Sequence, residues 1–220
     1  MNIVVYTAII GGIKDMPHRP ACSHAPHDPV RFVCFSNRFD QADGWEVRKP
    51  VWQDADPRRT ARWHKTHPEE LFPDACYSLW HDGTHQLTVD PRRLLVDRYL
   101  PESSPAEFAS FKHSLRSTVQ EELKACIWMR KDDETVMRRQ VLRYQQEGIN
   151  CSGLFETSVV LRKHTPTVRT FDELWWNQIK NGSVRDQLSV NYAANRTDLR
   201  TAFLTGDRAK SPYFHFYPHN

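Results

Sequence analysis

The chain has 220 residues and a net charge of +3, with 39% hydrophobic and 26% charged residues. Its length suits a single domain, residues 1–220, with a full hydrophobic core. The mean hydropathy is −0.67, and no apolar run approaches the roughly 20 residues that span a bilayer, so we expect no transmembrane segment. The small net charge gives no reason to expect nucleic-acid binding.

The five cysteines are odd in number and widely separated along the chain. Residues 1–10 also lack the basic region and the cleavage site of a signal peptide. We therefore expect reduced thiols and a cytoplasmic protein.

Three strands and a loop are predicted in the first 50 residues. Apolar, β-branched runs predict strands at 2–10, 30–36 and 45–49. Four prolines between residues 14 and 29 predict a loop. Within it Cys22, His24 and His27 resemble zinc ligands, but no second ligand pair stands at a recognisable spacing, which favours an ordinary loop.

A basic helix is predicted to follow. Asp56 and Pro57 have the character of a cap and a first helical residue, and the spacing of Arg58, Arg62 and Lys65 places these three on one face. On a helix considered alone, the simplest interpretation of such a face is that it contacts solvent. Beside a ligand crevice it also suits a diphosphate group.

The next strand, residues 76–80, ends in an acid and a glycine. Asp82 follows this strand at its carboxyl end, where open α/β sheets bind ligands, and Gly83 allows close backbone approach. A carboxylate in this place suits a divalent cation that also holds phosphate oxygens. Asp-Gly is equally a turn dipeptide, so a simple turn is the alternative.

The second half of the chain alternates between strands and helices, which predicts an α/β fold with a mixed sheet. The expected helices begin at Asp90, at a Ser117–Gln120 capping box, at Asp132 or Asp133, at a Thr170–Glu173 capping box and at Ser183. The expected strands are residues 108–112 and 153–162, and the aromatic tail 213–217 should pack back on the body.

Taken together, these segments resemble a family of glycosyltransferase-like domains of the A-type fold, found in plants and bacteria. The resemblance runs from Val5 to about Tyr192, and its motifs are weak singly but specific in this order. They are Tyr6-Thr7-Ala8-Ile9, Phe35-Ser36, Trp45-Glu46-Val47-Arg48, Ala61-Arg62 with Lys65, Leu79-Trp80-His81-Asp82-Gly83, Phe111-Lys112-His113 with Arg116, Glu121-Glu122, Gln140 with Tyr144, Glu147-Gly148, Gly153-Leu154-Phe155-Glu156-Thr157, Leu174-Trp175-Trp176 and Arg185-Asp186-Gln187-Leu188-Ser189.

The resemblance implies a Rossmann-like, three-layer α/β/α fold with a mixed central sheet. It also implies transfer of a hexose from a nucleotide diphosphate donor, with a UDP-sugar expected, to a saccharide or other hydroxyl acceptor. Asp82-Gly83-Thr84 stands where related enzymes carry Asp-x-Asp, so Mn²⁺ or Mg²⁺ is the implied cofactor. Because Thr84 replaces the second acid, Asp82 must hold the cation with help from elsewhere.

Each predicted site residue has a role that the chemistry of sugar transfer requires. The leaving diphosphate must be neutralised, a carboxylate must stand near the anomeric carbon, and the sugar ring needs a flat apolar surface. The residues assigned to the diphosphate and cation are Thr7, Arg62, Lys65, Asp82, Gly83 and Thr84; to catalysis, Glu156, Asp186 and His113; and to the substrates, Arg116, Trp175, Trp176, Arg185 and Gln187.

Several of these residues also have a plain structural interpretation. Arg185 and Asp186 could be a helix-face pair, the two tryptophans could be core residues, and His113 could be a buried histidine with satisfied hydrogen bonds. Two other functions remain open at this point. One is an inactive sugar- or nucleotide-binding domain of the same fold. The other is a metal-dependent phosphohydrolase built on His81-Asp82, which the predicted strand context disfavours.

Overall fold

The computed structural model describes residues 1–11, 16–21, 30–149 and 153–218. The zinc-like residues Cys22, His24 and His27 lie outside these ranges, as does most of the loop predicted at 14–29 and the thiol of Cys151. The cysteines that are described, Cys34, Cys76 and Cys126, are free thiols, as expected.

A seven-stranded mixed sheet forms the centre of the fold. Across the sheet the strands are β3 (Glu46–Arg48), β2 (Val30–Ser36), β1 (Ile3–Ile9), β4 (Tyr77–His81), β7 (Phe155–Lys163), β6 (Phe108–Lys112) and β8 (Thr201–Leu204). Strand β7 runs antiparallel to both of its neighbours, whereas the other pairs are parallel. The predicted α/β class with a mixed sheet is confirmed.

Both faces of the sheet are covered, which explains why the central strands are apolar on both sides. The remaining elements are α1 (Pro57–Thr66), α2 (Pro68–Leu71), β5 (His85–Leu87), a π-helical segment (Arg93–Tyr99), α3 (Val119–Trp128), α4 (Glu134–Gln146), α5 (Pro166–Lys180), a 3₁₀ turn (Asp186–Leu188), α6 (Val190–Arg196) and β9 (Phe214–Phe216). One core packs α1, α5 and α6 on the sheet. The other packs the π-helical segment and the β5–β9 pair on the opposite face.

Two of the predicted helix starts are displaced by a few residues. A third, at Ser183, is wrong, because a 3₁₀ turn follows at Asp186–Leu188 and α6 begins only at Val190. Thr118, not Ser117, caps α3 and forms the capping box with Glu121. The cap of α5 is Thr165, followed by Pro166 at the first helical position, so Thr170 lies inside the helix. In both cases a threonine nearby had the extended backbone that an N-cap requires, which composition alone does not reveal.

A bulge interrupts the pairing of β6 with β7 beside the end of β4. Ser110 pairs with Val160 but the next residue, Phe111, pairs with Glu156, so residues 157–159 have no partner in β6. The Ser110 hydroxyl spans the gap, 2.8 Å from the carbonyl oxygens of both Glu156 and Val159. Bulges of this kind redirect side chains near sites, and this one turns the start of β7 toward the cavity described below.

In the part of the chain that the structure describes, no helix combines the length and the apolar character that crossing a membrane requires.

Candidate active site

A polar cavity of about 300 Å³ opens where β4 ends and the antiparallel strand β7 begins. It brings together many residues that the sequence analysis had assigned to one site. These are Arg62, Lys65, Asp82, Thr84, Glu156, Arg185, Asp186 and Gln187. A larger cavity of about 820 Å³ lies beside the π-helical segment and contains none of them, so size alone does not identify the site.

Asp186 is the buried electrostatic centre of the cavity wall. Its carboxylate lies 2.5 Å from the Lys65 ammonium and 3.1 Å from Arg62 Nε, and it accepts a 2.8 Å hydrogen bond from the Thr157 hydroxyl. Only 2% of Asp186 is exposed. Burial by itself raises the pKa of this carboxyl, but the charges of Arg62, Lys65 and Arg185 outweigh it and hold the pKa far below its usual range. Asp186 is therefore a fixed anion that positions cations.

The two tryptophans of α5 do not form a sugar platform, and this prediction is corrected. Trp175 is fully buried; its indole N–H donates a 3.0 Å hydrogen bond to the Asp186 carbonyl, and the Lys65 ammonium stands 5.7 Å from its ring centroid. Trp176 packs on Trp52 in the same core. The helical spacing could not show that this face meets the sheet.

Asp82 has the position expected at the end of β4, and it also forms a turn. Its carbonyl accepts a 2.9 Å hydrogen bond from the His85 amide, which closes the turn. Its carboxylate faces the cavity with 35% exposure, accepts a 2.9 Å bond from the Trp80 indole and lies 4.0 Å from the Lys65 ammonium. The turn is therefore formed by the backbone of Asp82, and its carboxylate remains directed toward the cavity.

The other two residues of this motif differ from each other in their placement. Thr84 lines the cavity, and its hydroxyl lies 3.2 Å from His85 Nδ1. Gly83 is partly exposed and is not in the cavity lining. A side chain there would come within 3.1 Å of the Ile9 side chain, which gives a packing reason for a small residue at this position.

Asp82 is the carboxylate that the structure places at the predicted cation position, at the end of β4. Among the described residues there is no group of three or more histidine, cysteine or acidic side chains arranged to hold a metal ion. A half-exposed carboxylate at the mouth of a phosphate-sized cavity still suits Mg²⁺ or Mn²⁺, which take most of their ligands from substrate oxygens and water. The site therefore fits a cation that arrives with a diphosphate.

Glu156 is a cavity carboxyl whose pKa is raised by its surroundings. Only 5% of it is exposed. Burial raises the pKa of its carboxyl to about 7; the charges of Asp82 and Asp207 add to the rise, whereas Arg208 and Arg116 oppose it. A carboxyl that titrates near neutral pH can both take up and release a proton.

Three other predicted residues lie away from the cavity lining. His113 Nδ1 accepts hydrogen bonds from the amides of Leu115 and Arg116, at 3.0 and 3.1 Å, so this histidine shapes a loop. Arg116 forms an ion pair with the buried carboxylate of Glu122. Thr7 is fully buried in β1, with a hydroxyl that contacts no hydrogen-bond partner among the described residues. These placements correct the roles predicted for His113, Arg116 and Thr7.

Six residues to which the sequence analysis gave no role also line the cavity. They are His85, Lys131, Thr157, Ser158, Arg208 and Phe216. Burial lowers the pKa of His85 to about 4, so its imidazole is neutral at physiological pH. Lys131 and Arg208 bring the lining to five basic side chains against three carboxylates. Both come from connecting segments, where no sequence period marks a functional side chain.

Comparison with known proteins agrees with this geometry. The family described as TOD1/MUCI70, glycosyltransferase-like domain, matches residues 45–206. The chain is 33% identical over 156 residues to the probable hexosyltransferase MUCI70 of Arabidopsis thaliana, a match that covers 67% of this chain and 26% of that protein. It is 26% identical over 133 residues to the alkaline ceramidase TOD1 of the same plant, covering 56% and 28% respectively. The chain thus spans about a quarter of the length of these relatives.

Among solved structures, mouse xyloside xylosyltransferase 1 in its apo form matches with a TM-score of 0.53. The match covers 93% of this chain and 85% of that one, at 10% sequence identity. A likeness at this identity establishes the fold, which is that of the A-type glycosyltransferases.

Proposed function

This chain belongs to the TOD1/MUCI70 glycosyltransferase-like domain family, and we propose that it transfers a hexose from a nucleotide diphosphate donor to a hydroxyl acceptor. A UDP-sugar is the expected donor and a saccharide the expected acceptor. The observation that supports this proposal is the cavity at the end of β4, in which an excess of basic side chains surrounds a carboxyl that titrates near neutral pH.

The basic side chains would bind and neutralise the diphosphate. Lys65 and Arg62 are held in place by the buried Asp186, so little reorganisation is needed when negative charge develops on the leaving group. Lys131, Arg185 and Arg208 add charge that the three carboxylates do not cancel. Charge-assisted hydrogen bonds to phosphate are among the stronger polar contacts in proteins.

Glu156 would receive the proton that the acceptor hydroxyl loses. When the hydroxyl oxygen bonds to the anomeric carbon, the bond to the diphosphate breaks and its electron pair leaves with the diphosphate. The hydroxyl proton then needs a base with a pKa near the working pH, which the buried carboxyl provides.

We also propose that the reaction uses a divalent cation. When bound, Mn²⁺ or Mg²⁺ would neutralise part of the diphosphate charge. Asp82 would hold the ion, with the remaining ligands from the diphosphate and from water. The Lys65 ammonium, 4.0 Å from the same carboxylate, makes this position unfavourable for a cation alone.

Replacing Asp82 by Asn should abolish the effect of Mn²⁺ on UDP binding and leave the fold intact. The substitution keeps the shape and the oxygen that accepts the Trp80 hydrogen bond but removes the charge. The measurement is the thermal shift of each protein with UDP, with and without Mn²⁺. Asp40→Asn, which removes an exposed carboxylate paired with Lys49, is the matched control. A Mn²⁺ effect that survives in the Asp82 variant would remove Asp82 from the cation site.

A thermal-shift panel of nucleotide-sugars, with and without Mn²⁺, tests the function itself. A donor at about 100 times its Kd should stabilise the protein by about 2.7 kcal/mol. Release of UDP in the presence of an acceptor then separates an active transferase from an inactive binding domain. Failure of every nucleotide-sugar to stabilise the protein, together with hydrolysis of ceramide, would instead favour the activity in the name of the second relative.

A further inference from the structure

The segment between β8 and β9 presents one arginine to the cavity on a tightly built loop. Gly206 has a φ of +85°, and a side chain there would come within 2.1 Å of the Lys210 carbonyl oxygen, so only glycine fits. The Asp207 carboxylate accepts hydrogen bonds from the amides of Ala209 and Lys210, at 2.8 and 2.9 Å. Arg208 thus projects from a loop that is fixed on both sides.

The contacts of Arg208 are of a kind that a ligand can replace. Its Nε lies 3.3 Å from Glu156 Oε1, and its guanidinium lies 5.4 Å from the ring centroid of Phe216. The side chain is 53% exposed. An ion pair with one half-exposed partner contributes little to stability, since solvent screens it. Asp186, in contrast, is held by three buried or nearly buried groups.

We propose that Arg208 is a donor-responsive switch, which pairs with Glu156 in the empty site and moves to the diphosphate when the donor binds. The inference rests on the proposed function and adds a control step to it. A guanidinium forms bidentate hydrogen bonds with phosphate oxygens. A diphosphate also carries more negative charge than the single Glu156 carboxylate, so it is the stronger partner for Arg208. Arg208 lies outside residues 45–206, the part of the chain that matches the family.

The departure of Arg208 would change the charge around Glu156. The charges with the largest effects on the pKa of this carboxyl are those of Arg208 and Asp207 from the loop, Asp82 from the end of β4, and Arg116 from the segment before α3. Arg208 has the largest effect of the charges that lower this pKa. When Arg208 leaves, the pKa rises, so the Glu156 carboxylate binds a proton more tightly while the donor is in place.

The test is the titration of the Glu156 carboxyl by carbon-13 NMR in the wild-type protein and in Arg208→Ala, each free and saturated with UDP. In the free wild-type protein we expect a pKa near 7, which UDP raises. In the variant the free pKa is already higher, and UDP raises it by less, because one of the two causes is gone. UDP should also bind about tenfold more weakly to the variant.

The design separates the switch from its alternatives. An equal UDP-induced shift in both proteins would mean that ligand charge alone acts on Glu156, which overturns the switch. Absence of UDP binding by the wild-type protein would overturn the proposed function, and the switch with it. Arg138→Ala removes an arginine of similar exposure that pairs with Glu134 on α4, and should leave both readouts unchanged.

Discussion

Replacing Asp186 by Asn should lower the free energy of unfolding by about 3–5 kcal/mol, the usual cost of removing one partner from a buried ion pair. Lys65 is as deeply buried as Asp186 and lies against two tryptophan rings, so its charge would lose its compensation. The affinity for UDP should also decrease, because the Asp186 carboxylate positions Arg62.

Urea denaturation at several pH values measures this effect. The pKa of Asp186 is depressed in the folded protein, so its contribution is present above the unfolded pKa and is lost as pH falls through the folded one. The stability difference between wild type and variant should therefore be constant from about pH 5 to pH 8 and shrink below about pH 4. Asp82→Asn, beside the same lysine but half-exposed, serves as control. A loss below about 1 kcal/mol for Asp186→Asn would contradict the role of buried counter-ion.

Much of the site could be predicted because its residues follow regular elements. An apolar run identified β4, and the residue after it had to lie at the ligand edge of the sheet. Helical spacing placed Arg62 and Lys65 together on α1, and both line the cavity. These inferences used local periodicity, which survives in a single sequence.

The parts that failed depend on contacts between distant segments. Whether a tryptophan faces a core or a cavity is decided by what packs on its helix, so Trp175 and Trp176 were misassigned. The β5–β9 pair joins segments about 130 residues apart, and the bulge that turns Glu156 toward the cavity is a matter of strand register. Arg208 reaches Glu156 from an irregular loop, where no period indicates direction.

Replacing Glu156 by Gln should lower turnover by about 10²–10⁴-fold, the range for loss of a general base. The same change should raise stability at pH 8. The folded pKa, about 7, lies above the ordinary value of 4.5, so the folded protein binds more protons than the unfolded chain between those two values. The free energy of unfolding therefore decreases as pH rises from about 4.5 to about 7, and the full cost of burying the ionised Glu156 carboxylate is present above pH 7.

A glutamine has no such cost, because it carries no charge to bury. The pKa is raised from 4.5 to about 7, and one pKa unit corresponds to about 1.4 kcal/mol. The free energy of unfolding of the variant should therefore exceed that of wild type by about 3 kcal/mol at pH 8 and by little near pH 4.5. Urea denaturation at both pH values and UDP release from the donor measure the two effects. Glu134→Gln on the exposed face of α4 should change neither. If Glu156 is a buried catalytic carboxyl, the glutamine variant is more stable than wild type and inactive. If the variant instead loses stability in proportion to activity, Glu156 supports the fold through its ion pair with Arg208.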